Sequence, residues 1–314
     1  MRILLAAIAL FAMGAKASAE TLTVYTYDSF TAEWGPGPKL KQLFEAECGC
    51  TVEFVGLEDA VSILSRIRFE GPQTKADVAL GLDTSLMAEA DASGLFSPHG
   101  LDLSDLDVPG GFSSSHFVPY DHGFFSFVYD STRLASPPSS MTELVEASPD
   151  ISLLVQDPRT SSPGLGLMLW MRKIYGDAAG EAWEKLGPRI VTVTKGWSEA
   201  YGLFQKGEAD MVLSYTTSPA YHITAEDETK YRAAAFAEGH YQQIEVAAQL
   251  AGSQNADLAK RFLEFLVSEE AQAVIPTTQW MYPVRDVGAA LPEAFSTLVE
   301  VETPLAFSPG EVLQ

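Results

Sequence analysis

The sequence is 314 residues long and strongly acidic, since 42 Asp and Glu outnumber 20 Lys and Arg and give a formal net charge of −22 at pH 7. So negative a surface argues against nucleic acids and anionic membranes as partners, because both carry charge of the same sign. A chain of this length suffices for two domains that each bury a core. The charge indicates a soluble protein, and it is also compatible with a cationic ligand.

The first residues, MRILLAAIALFAMGAKASAE, have the three parts of a secretory signal peptide. Arg2 supplies the positive start, residues 3–13 form an apolar core too short to span a bilayer as a helix, and residues 17–19 are a small-residue cleavage site. We therefore predict a signal peptide over residues 1–19 and an exported, soluble chain. The alternative is an N-terminal membrane anchor, which the sequence supports less well because no charged stop-transfer pattern follows.

Two cysteines, Cys48 and Cys50, lie in the segment ECGCT. Export permits a disulfide, but a bridge over one residue closes a very small loop in which Gly49 would absorb the strain. The alternatives are two free thiols or part of a metal site, for which no His or Cys stands at ligand spacing. The sequence leaves the redox state of the pair open.

Short β-branched or aromatic runs alternate with segments of helix length, a pattern typical of an α/β fold with mostly parallel strands. In the first half we predict strands at residues 21–27, 50–56 and 76–82, and helices at residues 38–47, 58–69 and 85–92. The long aromatic segment HFVPYDHGFFSFVYD, residues 116–130, is interpreted as a strand that passes between two domains.

The second half continues the same alternation. We predict a helix at residues 141–147, strands at residues 151–157, 189–194 and 209–215, and helices at residues 164–176 and 198–207. The segment IEVAAQL, residues 244–250, is a second extended passage that returns towards the first domain. Residues 256–275 are predicted to form a pair of helical segments.

Ligands of open α/β sheets bind beyond the carboxyl ends of the strands, so the residues that follow predicted strands are the candidates for a site. One such segment, RTSSPGLG, resembles an anion cradle in its chemistry. Ser161 and Ser162 offer hydroxyls, Pro163 suits a first helical turn, and free N–H groups at a helix start point towards an anion. The alternative is an ordinary helix cap that uses one serine.

Aromatic and hydroxyl side chains form the second group of candidates. The rings are Tyr27, Trp34, Trp197, Tyr215, Tyr221 and Trp280, and the hydroxyls after Tyr215 are Thr216, Thr217 and Ser218. Flat rings stack on planar heterocycles, and a cation gains about 0.5–2 kcal/mol from a good ring face. Asp59 would add a negative charge or simply cap a helix. Rings, a carboxylate and an anion cradle together predict a planar cation that also carries phosphate, whereas core packing is the alternative for any single ring.

Catalytic motifs are not found in the sequence, which has no G-x-S-x-G, no H-E-x-x-H and no P-loop. The five histidines show no metal-like pairing: they are His99, His116, His122, His222 and His240. We therefore expect a binding protein rather than an enzyme, with no catalytic residues, no cofactor and no metal.

With these segments in order, the chain resembles the periplasmic thiamine-binding proteins of bacterial ABC importers, within the type 2 periplasmic solute-binding protein family. The resemblance rests on LTVYTYDSF, EWGPGP, LEDAVS, KADVALGLD, FVPYDHGFFSFVYD, QDPRTSSPGLGLMLWM, VTVTKGWSEAYGLF, VLSYTTSPAYH and IPTTQWMYPV. It implies a two-lobed periplasmic binding protein-like fold of class II, a periplasmic location and a monomer. It also implies capture of thiamine, thiamine monophosphate or thiamine diphosphate, and delivery to the permease of an ABC transporter.

The family's binding positions match Asp59, Ala60, Ser161, Ser162, Trp197, Tyr215, Thr216, Thr217 and Ser218, and Tyr27, Tyr221 and Trp280 match rings that line the same cleft. The resemblance implies that the ligand-binding residues of this chain are these. The alternative within the binding class is another cation, ferric iron or a polyamine. A secreted enzyme acting on phosphate esters or thiamine would need a nucleophile, which the cleft segments do not offer.

The resemblance further implies two lobes that close about the crossover strands. We predict lobe 1 from residues 20–120 and 243–283, and lobe 2 from residues 121–242 and 284–314, with hinges near Tyr120–Gly123 and Gln243–Val246. Family members continue into a further C-terminal helix beyond FSPGEVLQ, where this sequence stops, and that helix is expected to pack on the second lobe.

Overall fold

The computed structural model of this chain describes residues 19–146 and 151–312. The predicted signal peptide lies outside the described residues except for Ala19, and it stays a prediction. Within the described ranges, no helix has the length and apolar character needed to cross a membrane.

The secondary structure follows the predicted alternation of strands and helices. The strands are β1 (Thr21–Tyr27), β2 (Thr51–Leu57), β3 (Val78–Asp83), β4 (Phe117–Asp130), β5 (Leu153–Gln156), β6 (Ile190–Thr194), β7 (Met211–Tyr215), β8 (Tyr231–Ala233), β9 (His240–Gln249), β10 (Tyr282–Pro283) and β11 (Pro304–Leu305). The helices are α1 (Asp28–Thr31), α2 (Gly37–Cys48), α3 (Ala60–Glu70), α4 (Met87–Ser93), α5 (Met141–Glu146), α6 (Ser162–Tyr175), α7 (Ala179–Leu186), α8 (Trp197–Gln205), α9 (Pro219–Ala225), α10 (Ala256–Leu266), α11 (Glu269–Gln272), α12 (Ile275–Thr278) and α13 (Pro309–Val312). Short 3₁₀ turns cover Gly71–Gln73, Gly176–Ala178, Gly187–Arg189, Gly288–Ala290 and Glu293–Thr297.

The strands join in the order β2-β1-β3-β9-β4-β7-β5-β6, with β8 and β10 also on β4 and β11 on β9. The outer pairs β1–β2, β1–β3, β5–β6 and β5–β7 are parallel, as predicted. The central pairs β3–β9, β4–β9 and β4–β7 are antiparallel, so the sheet is mixed rather than mostly parallel. The reason is connectivity: β4 carries the chain out of the first half and β9 brings it back.

The two predicted hinge segments lie side by side in these crossover strands. In the β4–β9 ladder, Asp121 pairs with Glu245 and Gly123 pairs with Gln243, next to a register shift between Pro119 and Asp121. The segment predicted to pass between domains is therefore one continuous strand that serves both halves of the sheet.

Two large hydrophobic cores lie on either side of the crossover. The first includes the buried rings Phe30, Phe44 and Phe262, and the second includes Trp170 and Phe236. Two cores joined by two crossover strands agree with the predicted two-lobed α/β fold, and the boundaries of the lobes (20–120 with 243–283, and 121–242 with 284–314) stay predictions.

The two cysteines are joined to each other: Cys48 and Cys50 form a disulfide. Gly49 between them ends α2 with φ of 67°, in the left-handed region that glycine adopts at little cost. Of the alternatives left open by the sequence, the structure has the local disulfide.

Candidate ligand-binding site

A cavity of about 550 Å³ opens between the two cores, beside the crossover strands. Eight of the predicted site residues line it: Tyr27, Asp59, Trp197, Tyr215, Thr217, Ser218, Tyr221 and Trp280. They lie at the last residues of β1 and β7, in the segments and helix starts that follow β2, β6 and β7, and after α12. The fold thus brings strand ends from distant parts of the chain together, as predicted.

The other four predicted residues lie behind the wall. Ala60, Ser161, Ser162 and Thr216 are all at most 2% exposed and do not line the cavity. Any contact that they make with a ligand therefore has to pass through backbone groups or follow a movement of the wall, and their binding role stays a prediction.

Trp197 forms one face of the cavity at the first position of α8. Gly196 before it is extended, with φ of −157°, which turns the chain into the helix. The indole stacks on Tyr201, with ring centroids 4.9 Å apart, and its Nε1–H donates to Ser214 Oγ at 2.8 Å. The exposed ring of Trp34 lies 6.3 Å from it across the cavity mouth. The ring is thus fixed on its back by packing and at its edge by a hydrogen bond.

Tyr221 and Trp280 form the opposite corner, where their rings meet edge to face with centroids 5.5 Å apart. Trp280 has φ of 59°, a left-handed conformation that is costly for a bulky side chain. Such strain concentrates at ligand sites, because surrounding structure has to hold the residue there. Here it turns the indole into the cavity.

Tyr27 lies at the end of β1 on top of Gly81. A Cβ at Gly81 would lie 2.2 Å from Tyr27 Cε1, and Gly81 has φ of 95°, so this position needs glycine for both reasons. The Tyr27 hydroxyl donates to Glu245 Oε2 at 2.7 Å. The ring forms the floor of the cavity.

Asp59 both caps a helix and reaches across the cavity. Its carboxylate accepts from the Ala60 N–H of α3 at 2.8 Å and from Ser161 Oγ, at the start of α6, at 2.7 Å. The backbone N–H of Trp197 adds to these donors. Burial raises the pKa of Asp59 to about 6, which the hydrogen bonds partly offset. The two interpretations of Asp59, cap and cavity carboxylate, both hold.

In the predicted anion cradle at the start of α6, the serine hydroxyls donate hydrogen bonds to carboxylates of the protein itself. Ser161 precedes the helix in an extended conformation and donates to Asp59, and Ser162 Oγ donates to Asp83. A phosphate group at this helix start would have to compete with these two acceptors.

The two halves of the molecule touch directly beside this cradle. The Ser62 N–H donates to Thr160 O at 3.2 Å, and a Cβ at Gly196 would lie 2.7 Å from Glu58 O. Glycine is therefore needed at position 196 for the close approach of the two lobes.

The segment after β7 is braced internally. Tyr215 donates its hydroxyl hydrogen to Gln243 Oε1 at 2.9 Å, and Ser218 Oγ lies 2.7 Å from Ser214 Oγ. Thr217 contacts Met281 Sδ at 3.8 Å. The Thr216 hydroxyl is buried and has no hydrogen-bond partner among the described residues. These hydroxyls hold the turn as much as they face the cavity.

Several cavity residues were missed by the sequence analysis: they include Tyr201, Glu245, Gln279 and Met281. The most informative of them is Glu245, which is 6% exposed in the middle of β9. The signal that would have found it is that Glu245 is the one charged residue of the segment IEVAAQL, since burying an ionisable side chain in a strand is costly.

No cluster of three or more His, Cys, Asp or Glu side chains in residues 19–146 and 151–312 is arranged to hold a metal ion. The cavity instead offers ring faces and buried carboxylates between two α/β cores, and this combination defines an interlobe site for a small planar solute. The molecule has the architecture of a two-lobed solute-binding protein.

The chain belongs to the bacterial extracellular solute-binding protein family, whose profile matches residues 25–273. It is similar to the thiamine-binding periplasmic protein of Escherichia coli strain K12, with 56% identity over 291 residues, 93% of this chain and 88% of that protein. The thiamine-binding periplasmic protein of Brucella suis biovar 1 is 54% identical over 293 residues, again 93% and 88% of the two chains. A solved structure described as a periplasmic thiamin binding protein superposes with a TM-score of 0.92 at 54% identity, over 97% of this chain and 95% of that one.

Proposed function

We propose that this protein captures thiamine in the interlobe cavity and delivers it to the permease of an ABC transporter in the periplasm. The observation that carries the proposal is the likeness, at 54–56% identity over most of the chain, to proteins named as thiamine-binding. The chemistry of the cavity supports it, since ring faces and buried carboxylates suit a planar cation.

In this proposal the rings hold the two heterocycles. Trp197, with its back on Tyr201, offers one broad face, and Trp280 with Tyr221 offers an edge-to-face corner. Each good ring face contributes about 0.5–2 kcal/mol to binding a cation. Asp59 balances part of the ligand's charge at the cavity edge.

We extend the proposal to thiamine monophosphate and diphosphate, whose phosphate groups would lie towards Ser161, Ser162 and the N–H groups at the start of α6. There the phosphate would exchange places with Asp59 as the partner of Ser161. Lobe closure about β4 and β9 would then present the surface that the permease recognises. No ligand bond is broken, so the protein acts as a carrier and not as an enzyme.

Ferric iron or a polyamine is the less supported cargo. Tyr215 and Tyr221, the tyrosines available as iron ligands, donate to Gln243 and Glu226, and burial raises the pKa of both hydroxyls. A raised pKa works against the tyrosinate form that binds iron.

Calorimetric titration tests the proposal. Thiamine and its two phosphates are titrated into the protein, with spermidine and ferric citrate as competing cargo classes. We expect thiamine to bind with a Kd below about 10 µM, which corresponds to roughly 7 kcal/mol. No saturable heat up to about 1 mM thiamine, or tighter binding of iron or spermidine, would overturn it. Recovery of cleaved ligand would overturn the carrier role.

A further inference from the structure

Two carboxyl groups face each other inside the crossover strands. Asp121 of β4 and Glu245 of β9 are directly paired in the ladder, and they are 0% and 6% exposed. Like charges opposite each other on a sheet repel, and a buried charge without donors or counter-ions is costly. The pair therefore does not carry two negative charges at once.

The hydrogen bonds assign the charge to one member of the pair. Glu245 Oε2 accepts from Tyr27 at 2.7 Å, from Tyr120 and from Gln279 at 3.3 Å, while Oε1 accepts from Gln243 at 2.9 Å. Neither carboxyl oxygen of Asp121 receives a hydrogen bond from any described residue. A buried carboxyl group that lacks donors keeps its own proton, because its charged form would be neither solvated nor hydrogen-bonded.

The groups that act on Glu245 among the described residues are further acids and hydroxyls. Asp83, at the end of β3, is paired with Glu245 from the other side of β9, and Asp59, at the N-cap of α3, also acts on it. The hydroxyls of Tyr27, Tyr120 and Tyr215 lie near it on β1, β4 and β7. The ion pairs formed within residues 19–146 and 151–312 do not include Glu245 or Asp121.

Burial raises the pKa of Glu245 to about 7, although the hydroxyls of Tyr120 and Tyr27 act in the opposite direction. Burial also raises the pKa of Asp121, and Glu245 raises it further. His122, the next residue on β4, stays neutral above pH 6 because burial lowers its pKa to about 4. Within the Asp121–Glu245 pair, the group that changes charge near neutral pH is thus Glu245, while Asp59 changes charge at lower pH, because its pKa is about 6.

Glu245 lines the cavity, and Asp121 lies behind it. We propose that Glu245 is the counter-charge for the cationic part of the ligand, with Asp121 as a positioning residue that retains the proton of the pair. This inference rests on the proposed function, because it requires a cationic cargo. Four donors already orient the Glu245 carboxylate, so it acts through its charge rather than through a free lone pair.

Ligand capture is then linked to proton release. A cation favours the ionised form of Glu245, so binding removes a proton wherever the empty protein still holds one. Affinity therefore rises with pH, by roughly 3- to 10-fold from about pH 6 to about pH 7, and becomes constant above about pH 8.

The test is calorimetric titration of thiamine at several pH values between about 6 and 8.5, each in two buffers that differ in ionisation enthalpy. We expect the wild-type protein to release up to one proton per thiamine near pH 6.5, and none near pH 8.5. Glu245→Gln is expected to lose this release and to bind roughly 10- to 100-fold more weakly at pH 8. Any proton exchange by thiamine itself or by Asp59 persists in this variant and serves as the baseline.

Asp121→Asn tests which member of the pair holds the proton. Asn replaces one neutral group by another, so the pH profiles of affinity and of proton release should stay those of the wild-type protein. If Asp121 instead carried a negative charge, its removal would move proton release to lower pH, because a like-charge neighbour would be gone, and this shift would overturn the assignment. If Glu245→Gln does not fold, the pH profiles of affinity and proton release of the wild-type protein and of Asp121→Asn test the inference instead.

The outcomes separate the two claims. Thiamine binding that is independent of pH, without proton release and unchanged in Glu245→Gln, overturns the inference and leaves the proposed function standing. If wild-type protein does not bind thiamine at any pH, the proposed function fails and the inference fails with it.

Discussion

At the scale of single residues, Trp197 and Gly196 show how one turn serves both the ligand and the closure of the lobes. Trp197 is held by stacking on Tyr201 and by its hydrogen bond to Ser214. Gly196 lets the start of α8 approach Glu58 in the other half of the molecule. An aromatic residue and a glycine, adjacent in sequence, thus place a proposed ligand-binding surface where the two lobes meet.

Replacing Trp197 by Ala should weaken thiamine binding by roughly 10-fold or more, because a ring face contributes about 0.5–2 kcal/mol and the loop at Ser214 loses a donor. Trp197→Phe retains a ring and should lose less. Trp183→Phe, on α7 away from the cavity, is the matched control and should bind like wild type. Affinities come from calorimetry, and unchanged binding by Trp197→Ala would exclude the stacking role.

Replacing Gly196 by Ala should reduce affinity by roughly 10-fold without unfolding the protein, because the new Cβ would meet Glu58 O at 2.7 Å and hold the lobes apart. Gly180→Ala, whose Cβ meets nothing within 4 Å, is the control. Small-angle scattering with thiamine present should show that the Gly196→Ala variant is less compact than the wild-type protein. Equal affinity and equal compaction in both variants would show that this contact does not limit closure.

At the scale of secondary structure, the crossover strands and α6 set the geometry of the site. α6 lies against β4 so closely that a Cβ at Gly166 would fall 2.1 Å from Phe125 Cε2. This packing holds the start of α6, with Ser161, opposite Asp59. The position of the helix thus depends on a glycine within it that faces a ring.

Gly166→Ala should destabilise the protein by roughly 1–3 kcal/mol, because the added methyl group overpacks the contact with Phe125. Urea unfolding measures the change. Gly180→Ala in α7 is again the control and should be neutral or stabilising by up to about 1 kcal/mol. A Gly166→Ala variant as stable as wild type would mean that α6 can move away from β4 without cost.

Most elements were predictable from local pattern, because strands such as β1 and β7 are short runs rich in β-branched, aromatic and other apolar residues and end at polar segments. Helix α9 was not predicted, although Pro219 at its start suits a first helical turn. The antiparallel centre of the sheet was also missed, because strand direction depends on connections that local pattern does not contain.

The lining of the cavity was predictable at strand ends, as for Trp197 and Tyr215, whereas Trp280 was predicted from its ring and not from a strand end. Glu245 lies in the middle of β9, so a search for residues that follow strands does not find it. The partners of Ser161 and Ser162, which are Asp59 and Asp83, are distant in sequence and emerge only from the fold.

At the scale of the whole molecule, the chain has a net charge of −22 and buries some of its carboxyl groups, among them Asp59 and Glu245. Burial raises the pKa of Asp59 to about 6 and that of Glu245 to about 7. In the unfolded chain these groups lose their protons near pH 4, so between about pH 4 and pH 7 the folded state holds more protons. Stability contributed by these groups therefore falls as pH rises through that window.

The free energy of unfolding should accordingly be lower at pH 8 than at pH 5.5, by roughly 1–3 kcal/mol, since one unit of pKa shift corresponds to about 1.4 kcal/mol. Urea unfolding without ligand at the two pH values measures it. Glu245→Gln removes one of the buried acids and should show a smaller difference. A free energy of unfolding that rises from pH 5.5 to pH 8 would contradict the raised pKa values of Asp59 and Glu245.

The central claim is that thiamine binds between the two lobes, and a crystal structure of the protein grown with thiamine tests it most directly. The account predicts one thiamine in the cavity, with a ring against Trp197 and the cationic part towards Glu245. A thiamine bound outside this cavity, or a cavity that stays empty at saturating thiamine, would contradict it.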